Sequence, residues 1–507
     1  MPLTRLLDRA LQDSPDKPAV VFRNAVTTYR ELDEGSDRSA RRLLALGIGH
    51  GDRVAIFMRN REAFVELYLA CFRVGAIAVP LNHRFQADEV VFAITHCDAA
   101  LLVVDGPLLP VVAGVPERAP SLKGVYVYGD EPEGAANRWK DAPSDGAGDL
   151  PQVSDDDPAM ILYTSGSTGR PKGVTHTHGS ILATAVGRGV TQQLTADDIS
   201  LAATAICHAG ASVGVAFPTL HAGGTVVVLE DSDPDLFLEA LRRWHPTRTV
   251  LLPTQLLDAV DSPGAAPADF ASLREVECGG DQISPDLYER FSEVAQLQLN
   301  QLYGLTECEC ATLNPPFGLI KRGSMGLPRE GVQLRIAGDD GGDAAAGEAG
   351  EIQLRGPSVM IGYWDDPEHT AATFADGWLR TGDLGTRDED GYLHFHGRIK
   401  EVIIRGGSNI APGEVEDVID EHPDVELSGV VGTPDERLGA IVHAFVELKR
   451  GRAHPPTADE LAAFARQHLA AYKVPDRWTF VGSLPRNAVG KIDRHALHQQ
   501  AAELDSA

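Results

Sequence analysis

Cysteine is scarce in this sequence, and the cysteines present lack the spacing of metal or disulfide motifs. There are 6 in 507 residues, and no pair has the CxxC spacing. Only Cys308 and Cys310 lie close together, and no second pair of metal ligands follows them closely. We therefore expect buried free thiols in a reducing compartment, which argues against a disulfide-stabilised scaffold and against a zinc site.

Basic residues are few relative to acidic ones. Lysine and arginine total 45 against 73 aspartates and glutamates, which gives a formal net charge of −28. That charge opposes non-specific binding to nucleic acid and to anionic membranes, so we expect neither as a partner. A polyanionic ligand would need positive charge concentrated at its own site.

Long uninterrupted hydrophobic runs are also missing. The segment 1–8 carries charges and has no apolar core of signal-peptide length. The nearly uncharged stretch 201–229 is interrupted by His208, Pro218, His221 and several glycines. This pattern predicts a buried helix and a strand instead of a membrane span, and we expect a cytoplasmic location.

The length and the alternation of patterns indicate the fold class. A chain of this size, with 43% hydrophobic and 23% charged residues, is expected to form more than one globular domain. Within residues 1–130, helix patterns such as Glu62–Val74 alternate with strand patterns such as Arg53–Phe57. The alternation predicts an α/β fold in which helices flank a parallel sheet.

A loop rich in small and hydroxyl residues follows the predicted buried strand 159–163. It consists of Thr164, Ser165, Gly166, Ser167, Thr168 and Gly169, with Arg170 and Lys172 directly after it. Small residues let the backbone approach an anion closely, and hydroxyl and amide groups donate to its oxygens. Because Lys172 is followed by Gly173, the segment is not a Walker A loop. We interpret it as a candidate polyphosphate loop, with a plain Ser/Gly turn as the alternative.

Two His-x-His pairs raise the question of a metal site. They are His176 with His178, and His394 with His396. The alternation of side chains along a strand accounts for both pairs, and we expect strands at both places.

The string from Tyr163 to Val174 resembles the phosphate-loop signature of the adenylate-forming superfamily, which contains acyl-CoA synthetases, adenylation domains and luciferases. Further segments resemble that superfamily in its order, namely 275–283, 302–307, 377–385, 397–416 and 485–494. The resemblance extends from Thr28 to Arg494. It implies a large N-terminal α/β domain of parallel and mixed sheets, residues 1–397, and a small mobile α+β C-terminal domain, residues 398–507, hinged at Lys400.

The resemblance also implies a nucleotide site. The loop and Lys172 would hold the β- and γ-phosphates, and Glu307 and Thr164 would bind Mg²⁺. Adenine and ribose would contact Gly279, Gly280, Tyr303, Asp383 and Arg398. A glycine pair at the end of a strand lets a flat ring lie against the backbone. Asp281 would face adenine or the acyl substrate, or would cap the following helix.

Catalytic roles follow from the same resemblance. Thr306 and Lys491 would stabilise charge on the α-phosphate, and a glycine turn would deliver Lys491. Gly406 and Gly407 would approach the pantetheine arm after rotation about Lys400. His208 would line the acyl site, with a core histidine as the alternative.

The implied activity is a two-step ligation that uses ATP, Mg²⁺ and coenzyme A. A small carboxylic acid would be converted to an acyl-adenylate and then to a thioester, by a monomer or homodimer. Amino-acid adenylation domains place an aspartate in the region matching 201–229, and none occurs here, which argues against α-amino acids. The alternatives are an adenylating enzyme of secondary metabolism that acts on an unusual acid or loads a carrier protein or amine, and a non-catalytic nucleotide sensor.

Overall fold

The structure is a computed structural model, and it describes residues 2–129, 137–144, 149–164, 171–279, 283, 285–316, 318–338, 341–405, 408–435, 437–449, 455–487 and 490–506. The helices in these ranges alternate with strands along most of the chain. They are Asp8–Asp13, Tyr29–Ala45, Glu62–Val74, Ala87–His96, Val115–Arg118, His178–Thr191, Ala209–Ala211, Phe217–Ala222, Pro234–Trp244, Pro253–Asp261, Pro267–Phe270, Pro285–Ala295, Pro367–Thr373, Pro412–Asp420, Ala458–His468 and Arg494–Ser506.

The first of the two large sheets has seven strands, and its centre is parallel. In sheet order the strands are Gly362–Tyr363, Lys172–Thr177, Pro158–Thr164, Ile77–Leu81, Arg53–Phe57, Leu101–Asp105 and Gly124–Tyr128. Pro158–Thr164 and Lys172–Thr177 are antiparallel neighbours, so the candidate phosphate loop connects the two strands of a hairpin.

The second large sheet has nine strands and is mixed. In sheet order they are Leu327–Pro328, Cys308–Leu313, Leu299–Leu305, Glu275–Cys278, Arg248–Leu251, Ile199–Ala202, Thr225–Val228, Pro18–Phe22 and Ala25–Thr28. The central strands, from Leu299–Leu305 to Pro18–Phe22, pair in parallel. The expected helix and strand in 201–229 are confirmed as Phe217–Ala222 and Thr225–Val228.

Three smaller sheets complete the fold. The first contains Gln333–Ala337, Gly350–Arg355, Phe374–Ala375, Trp378–Arg387 and Leu393–Arg398; the second contains Ile403–Arg405 and Ser408–Ile410; the third contains Val425–Asp435, Gly439–Leu448 and Arg477–Val481. The third sheet packs with Pro412–Asp420 and Ala458–His468 around a separate hydrophobic core that includes Val415 and Leu461.

Helix Glu62–Val74 lies between the two large sheets and contacts strands of both. Phe64, Tyr68 and Phe72 are fully buried on it, and Phe217 meets Tyr68 edge-on at a centroid distance of 5.6 Å. Burial of an aromatic side chain of this kind stabilises the fold by about 1.5–3 kcal/mol. The helix ends at Gly75 in the left-handed conformation, with φ of 67°, which glycine adopts without the steric cost of a side chain.

Within the described ranges, none of the helices combines the length and the hydrophobicity that a membrane crossing requires.

Candidate active site

Strands from three sheets bring the predicted nucleotide-binding residues together. Thr164 and Lys172 are paired in register across the hairpin of the seven-stranded sheet. Tyr303 lies on a strand of the nine-stranded sheet, and Asp383 and Arg398 are paired in register in the five-stranded sheet. Residues that are far apart in sequence therefore meet where these sheets adjoin.

Asp383 is a buried carboxylate with a spare acceptor oxygen. The phenol of Tyr303 donates to Asp383 Oδ2 at 2.7 Å, and Arg398 Nε lies 3.4 Å from Oδ1. Oδ1 accepts no hydrogen bond from the described residues. Burial raises the pKa of Asp383, while the charges of Arg398 and Lys491 and the Tyr303 hydrogen bond lower it. The carboxylate can therefore still accept hydrogen bonds from a vicinal diol such as ribose.

The surroundings of Asp383 fix its orientation. The ring of Tyr303 packs against Phe395 at a centroid distance of 5.9 Å. The Asp383 amide donates to Thr381 Oγ1 at 3.1 Å, and that hydroxyl donates to the Ile352 carbonyl at 2.6 Å. Neither Phe395 nor Thr381 could be assigned a role from sequence, because neither residue type signals one without the contact.

Glu307 lies in the turn between the strands Leu299–Leu305 and Cys308–Leu313. Tyr363 donates to Glu307 Oε1 at 2.8 Å, and the ammonium of Lys172 lies 4.8 Å from the centroid of the Tyr363 ring. Tyr363 therefore contacts both the predicted metal-binding carboxylate and the predicted phosphate-binding lysine. No motif pointed to it.

His176 fixes the neighbouring Thr306. Its Nε2 lies 2.8 Å from the Thr306 carbonyl oxygen, and its Nδ1 lies 3.1 Å from Ser180 Oγ. Because a carbonyl only accepts, Nε2 carries the proton and Nδ1 is the acceptor. Burial lowers the pKa of His176, which keeps the ring neutral.

The strand interpretation of the first His-x-His pair is wrong for His178. Thr177 caps a helix that begins at His178, and its hydroxyl accepts from the Ser180 amide at 3.0 Å. The strand therefore ends before the second histidine. His394 and His396 both lie on the strand Leu393–Arg398, as expected.

His208 precedes the helical segment Ala209–Ala211. Burial, assisted by the charges of His83, Arg84 and Lys491, lowers the pKa of His208 to about 4. The imidazole is therefore neutral at neutral pH and lies in an electropositive environment. Such a place suits a carboxylate substrate.

Lys491 follows a turn that the Asn487 side chain holds. The Gly490 amide donates to the Asn487 carbonyl at 2.9 Å, and the Lys491 amide donates to Asn487 Oδ1 at 3.1 Å. Gly490 has φ of 89°, a left-handed conformation that favours glycine. A Cβ added there would lie 3.6 Å from Thr254 Oγ1, so the turn lies against the N-terminal part of the chain.

Lys400 lies in the short 3₁₀ turn Ile399–Glu401, directly after the strand that carries Arg398.

Gly279 directly follows the strand Glu275–Cys278 and is closely packed, since a Cβ would lie 2.6 Å from Leu302 Cδ1. The remaining predicted site residues lie outside the described residues: Ser165, Gly166, Ser167, Thr168, Gly169, Gly280, Asp281, Gly406 and Gly407.

A buried ionic network lies beside the Thr306–Glu307 turn. Arg188 is fully buried and lies 2.5 Å from Glu277 Oε2 and 3.4 Å from Glu309 Oε1. Arg248 lies 3.4 Å from Glu277 and 3.8 Å from Glu275. The network joins the helix His178–Thr191 to three strands of the nine-stranded sheet. No sequence motif indicated these pairings.

The donor set at Glu307 and Thr164 fits Mg²⁺. Both side chains offer hard oxygen atoms, and Mg²⁺ in nucleotide sites is held by one or two carboxylates together with substrate phosphates. In the described ranges, no group of three or more His, Cys, Asp or Glu residues is arranged to hold a metal by itself. The residues present therefore suit a metal that arrives with a polyphosphate.

The sequence model of the AMP-binding enzyme family matches residues 7–364. The model of the AMP-binding enzyme C-terminal domain matches residues 414–491. Because the first match covers more than half of the chain, this protein belongs to the AMP-binding enzyme family. The superfamily prediction is confirmed.

Similar proteins cover nearly the whole chain. Feruloyl-CoA synthase of Amycolatopsis sp is 38% identical over 96% of each chain. The fatty acid–acyl-carrier-protein ligase ScoC of Streptomyces coeruleorubidus is 34% identical, over 96% of this chain and 94% of its own. The crystal structure of ATP-bound MatB from Rhodopseudomonas palustris is 31% identical and has a TM-score of 0.90, covering 99% of this chain and 100% of that chain. The predicted fold class is confirmed.

Proposed function

We propose that this protein is an AMP-forming acid–thiol ligase, an acyl-CoA synthetase. It activates a carboxylic acid with ATP, releases pyrophosphate, and transfers the acyl group to the thiol of coenzyme A. ATP, Mg²⁺ and coenzyme A are the cofactors of this activity. Membership of the AMP-binding enzyme family and the similarity to a feruloyl-CoA synthase support it.

The position of Lys491 carries the proposal. This lysine comes from the C-terminal part of the chain, yet its charge reaches both His208 and Asp383 and lowers the pKa of each. Adenylation needs a cation between the ribose-binding carboxylate and the acyl site, because negative charge develops on the α-phosphate between them. A nucleotide sensor has no need of that lysine.

In the first step, a carboxylate oxygen of the acid attacks the α-phosphorus of ATP. The bond to the bridging oxygen breaks, and pyrophosphate leaves with the electron pair. Lys491 and Thr306 stabilise the charge on the α-phosphate, and Lys172 with the loop 164–169 holds the departing pyrophosphate. Positioning and charge carry the reaction, as in other phosphoryl-type transfers.

The residues that would orient the nucleotide contact one another directly in the structure. Asp383 and Arg398 bind the ribose, and the buried Tyr303 supports Asp383 through its 2.7 Å hydrogen bond. By the resemblance to the superfamily, Gly279 and Gly280 would contact adenine, and Asp281 would face adenine or the acyl substrate or cap the following helix. Glu307 and Thr164 would hold Mg²⁺ together with the phosphates, and the ion would supply positive charge against the triphosphate.

The acid is oriented by His208. Its imidazole is neutral, because burial lowers its pKa to about 4, so it acts as a hydrogen-bonding group instead of a counter-ion. The positive charge near the carboxylate comes from neighbouring side chains. The acid itself is a non-amino carboxylic acid.

In the second step, the C-terminal domain, residues 398–507, rotates on the N-terminal domain, residues 1–397. Lys400 is the hinge, and its place in a short turn between two strands supports this role. The rotation withdraws Lys491 and brings Gly406 and Gly407 toward the pantetheine arm. Such alternation keeps the reactive adenylate away from water.

A carrier protein is the competing acceptor. The relative ScoC is named as a fatty acid–acyl-carrier-protein ligase, and it covers nearly as much of the chain as the CoA-dependent relative. The acceptor reaches the adenylate only in the second step, so the two functions share the first half-reaction. The protein acts as a monomer or homodimer.

An acid panel tests the proposal. The purified protein is supplied with ATP, Mg²⁺ and fatty, aryl and dicarboxylic acids, with or without coenzyme A. We expect pyrophosphate release with at least one acid and thioester formation only with coenzyme A. Pyrophosphate release without a CoA thioester, together with product formation once a carrier protein or an amine is added, would favour the other acceptors. A complete lack of pyrophosphate would favour the sensor.

The hinge is tested by Lys400→Pro, because proline restricts φ at that turn. We expect the rate of thioester formation from supplied acyl-adenylate to fall more than the rate of adenylation. Lys449→Pro lies outside the proposed hinge and removes the amide that donates to the Asp424 carbonyl at 3.0 Å, so it controls for the structural cost of a proline in this half of the chain. An unchanged thioester step in Lys400→Pro would refute the hinge.

A further inference from the structure

Tyr363 contacts two charged groups of opposite sign with two different parts of its side chain. Its hydroxyl donates to Glu307 Oε1 at 2.8 Å, and its ring centroid lies 4.8 Å from the ammonium of Lys172. The electron-rich ring face attracts a cation, and a hydroxyl donor stabilises a carboxylate. One rigid side chain therefore serves both groups.

Backbone hydrogen bonds fix this side chain relative to both groups. Tyr363 pairs in register with Val174, on the strand that begins at Lys172. The amide of Trp364 donates to the Gly173 carbonyl at 2.7 Å, and the amide of Met360 donates to the Glu307 carbonyl at 2.8 Å. The short segment 360–364 is thus tied to the lysine strand and to the glutamate turn.

Lys172 and Glu307 do not pair with each other. Across the described residues, the ion pairs include none between this lysine and this glutamate. A direct pair would neutralise both groups and remove them from a ligand. Tyr363 gives each of them a neutral partner, which leaves the lysine charge and the second glutamate oxygen for binding.

We propose that Tyr363 is a positioning residue that holds the Lys172 ammonium and the Glu307 carboxylate apart, ready for the pyrophosphate end of Mg·ATP. The inference rests on the proposed function, because the roles of Lys172 and Glu307 come from it.

Two substitutions separate the contributions of the hydroxyl and the ring. Tyr363→Phe removes the hydrogen bond to Glu307 and keeps the ring under Lys172, whereas Tyr363→Leu removes both. A hydrogen bond to a charged group is strong enough that its loss should weaken the affinity for the divalent cation about tenfold or more. A lost cation–π contact weakens it about two- to fivefold further.

The chain contains a matched control. Tyr392 donates to the Leu319 carbonyl at 3.0 Å, and Lys321 lies 5.2 Å from its ring centroid. Tyr392→Phe therefore removes a hydroxyl that donates to a backbone carbonyl and keeps a ring beside a lysine, away from Glu307. It reports the structural cost of such a change.

The decisive measurement is equilibrium binding of Mn²⁺, followed by electron paramagnetic resonance, in the presence of a non-hydrolysable ATP analogue. We expect Tyr363→Phe to bind Mn²⁺ about tenfold more weakly than the wild type, Tyr363→Leu more weakly still, and Tyr392→Phe unchanged. In steady state, the KM for Mg²⁺ should rise more than kcat falls.

Wild-type Mn²⁺ affinity in Tyr363→Phe would overturn the proposal, as would equal weakening in Tyr392→Phe. Thermal midpoints of all three variants identify a folding defect, and a Tyr363 variant that loses only stability also counts against the role. Because the binding measurement needs no acid, it is independent of the acid panel. Lack of acid-dependent turnover in the wild type would contradict the proposed function alone.

Discussion

The phenol oxygen of Tyr303 lies 2.7 Å from Oδ2 of Asp383, although 80 positions separate the two residues in sequence. The contact joins the nine-stranded sheet to the five-stranded sheet at the point where the ribose is expected. It also supplies a hydrogen-bond donor to a carboxylate that burial makes harder to ionise. Ionisation of Asp383 therefore depends on a neighbour from another sheet.

Tyr303→Phe tests this dependence. Losing a hydrogen bond to a charged group costs about 1.5–3 kcal/mol, and the pKa of Asp383 rises further without the donor. We expect the KM for ATP in pyrophosphate exchange to increase about tenfold or more, with a smaller effect on kcat, and more strongly at low pH. Tyr288→Phe, on the helix Pro285–Ala295, is the control. An unchanged KM for ATP would contradict the assignment.

Substitution of Arg188 tests the contribution of the buried ionic network to stability. Its removal leaves Glu277 and Glu309 buried without their nearest cation, which typically costs about 3–5 kcal/mol. We expect Arg188→Met to lower the free energy of unfolding in urea by that order. Arg5→Met removes the exposed pair with Asp8 and should change it by less than about 1 kcal/mol. Equal effects of the two substitutions would show that the network contributes no more than a surface pair.

Glu275 gives the protein a pH-dependent stability. Burial and the charge of Glu277 raise the pKa of Glu275 to about 7, against an ordinary value of 4.5. Between these values the folded state binds more protons than the unfolded state, so this group's contribution to stability falls as pH rises. As pH rises across that interval, we expect the free energy of unfolding of the wild type to fall relative to that of Glu275→Gln. A difference that is independent of pH would contradict the raised pKa.

All six cysteines are free and buried, as expected from their spacing and surroundings. Burial raises the pKa of Cys71 and Cys207 to about 12 and of Cys97 and Cys308 to about 11. A thiol reacts as the thiolate, so native protein should react with Ellman's reagent very slowly, while urea-unfolded protein should release six equivalents. Rapid labelling of one native thiol would reveal an accessible cysteine.

Local elements could be predicted from sequence because their determinants are local. Thr28 and Glu31 form a reciprocal capping box at the start of the helix Tyr29–Ala45, a signal that lies within four residues of sequence. The strand Arg53–Phe57 and the helix Glu62–Val74 have the predicted bounds, because hydrophobic periodicity and the glycine at position 75 define them. His178 was misassigned since the cap at Thr177 overrides alternation.

The site was only partly predictable, for a different reason. Residues such as Asp383 and Lys491 could be proposed from sequence because they stand in recognisable motifs. Tyr363 and His176 act through contacts between sheets, and a tyrosine or histidine in a strand carries no sign of which distant group it will meet. Their hydrogen bonds to Glu307 and to the Thr306 carbonyl emerge only from the packing.

The central claim is tested most directly by two assays of the wild type and Lys491→Ala. One measures ATP–pyrophosphate exchange, and the other measures thioester formation from supplied acyl-adenylate. The account predicts acid-dependent exchange in the wild type, a loss of exchange by at least about a hundredfold in the variant, and thioester formation that is largely retained. Retained exchange in Lys491→Ala, or equal loss of both half-reactions, would contradict the claim that Lys491 serves adenylation and then leaves the site.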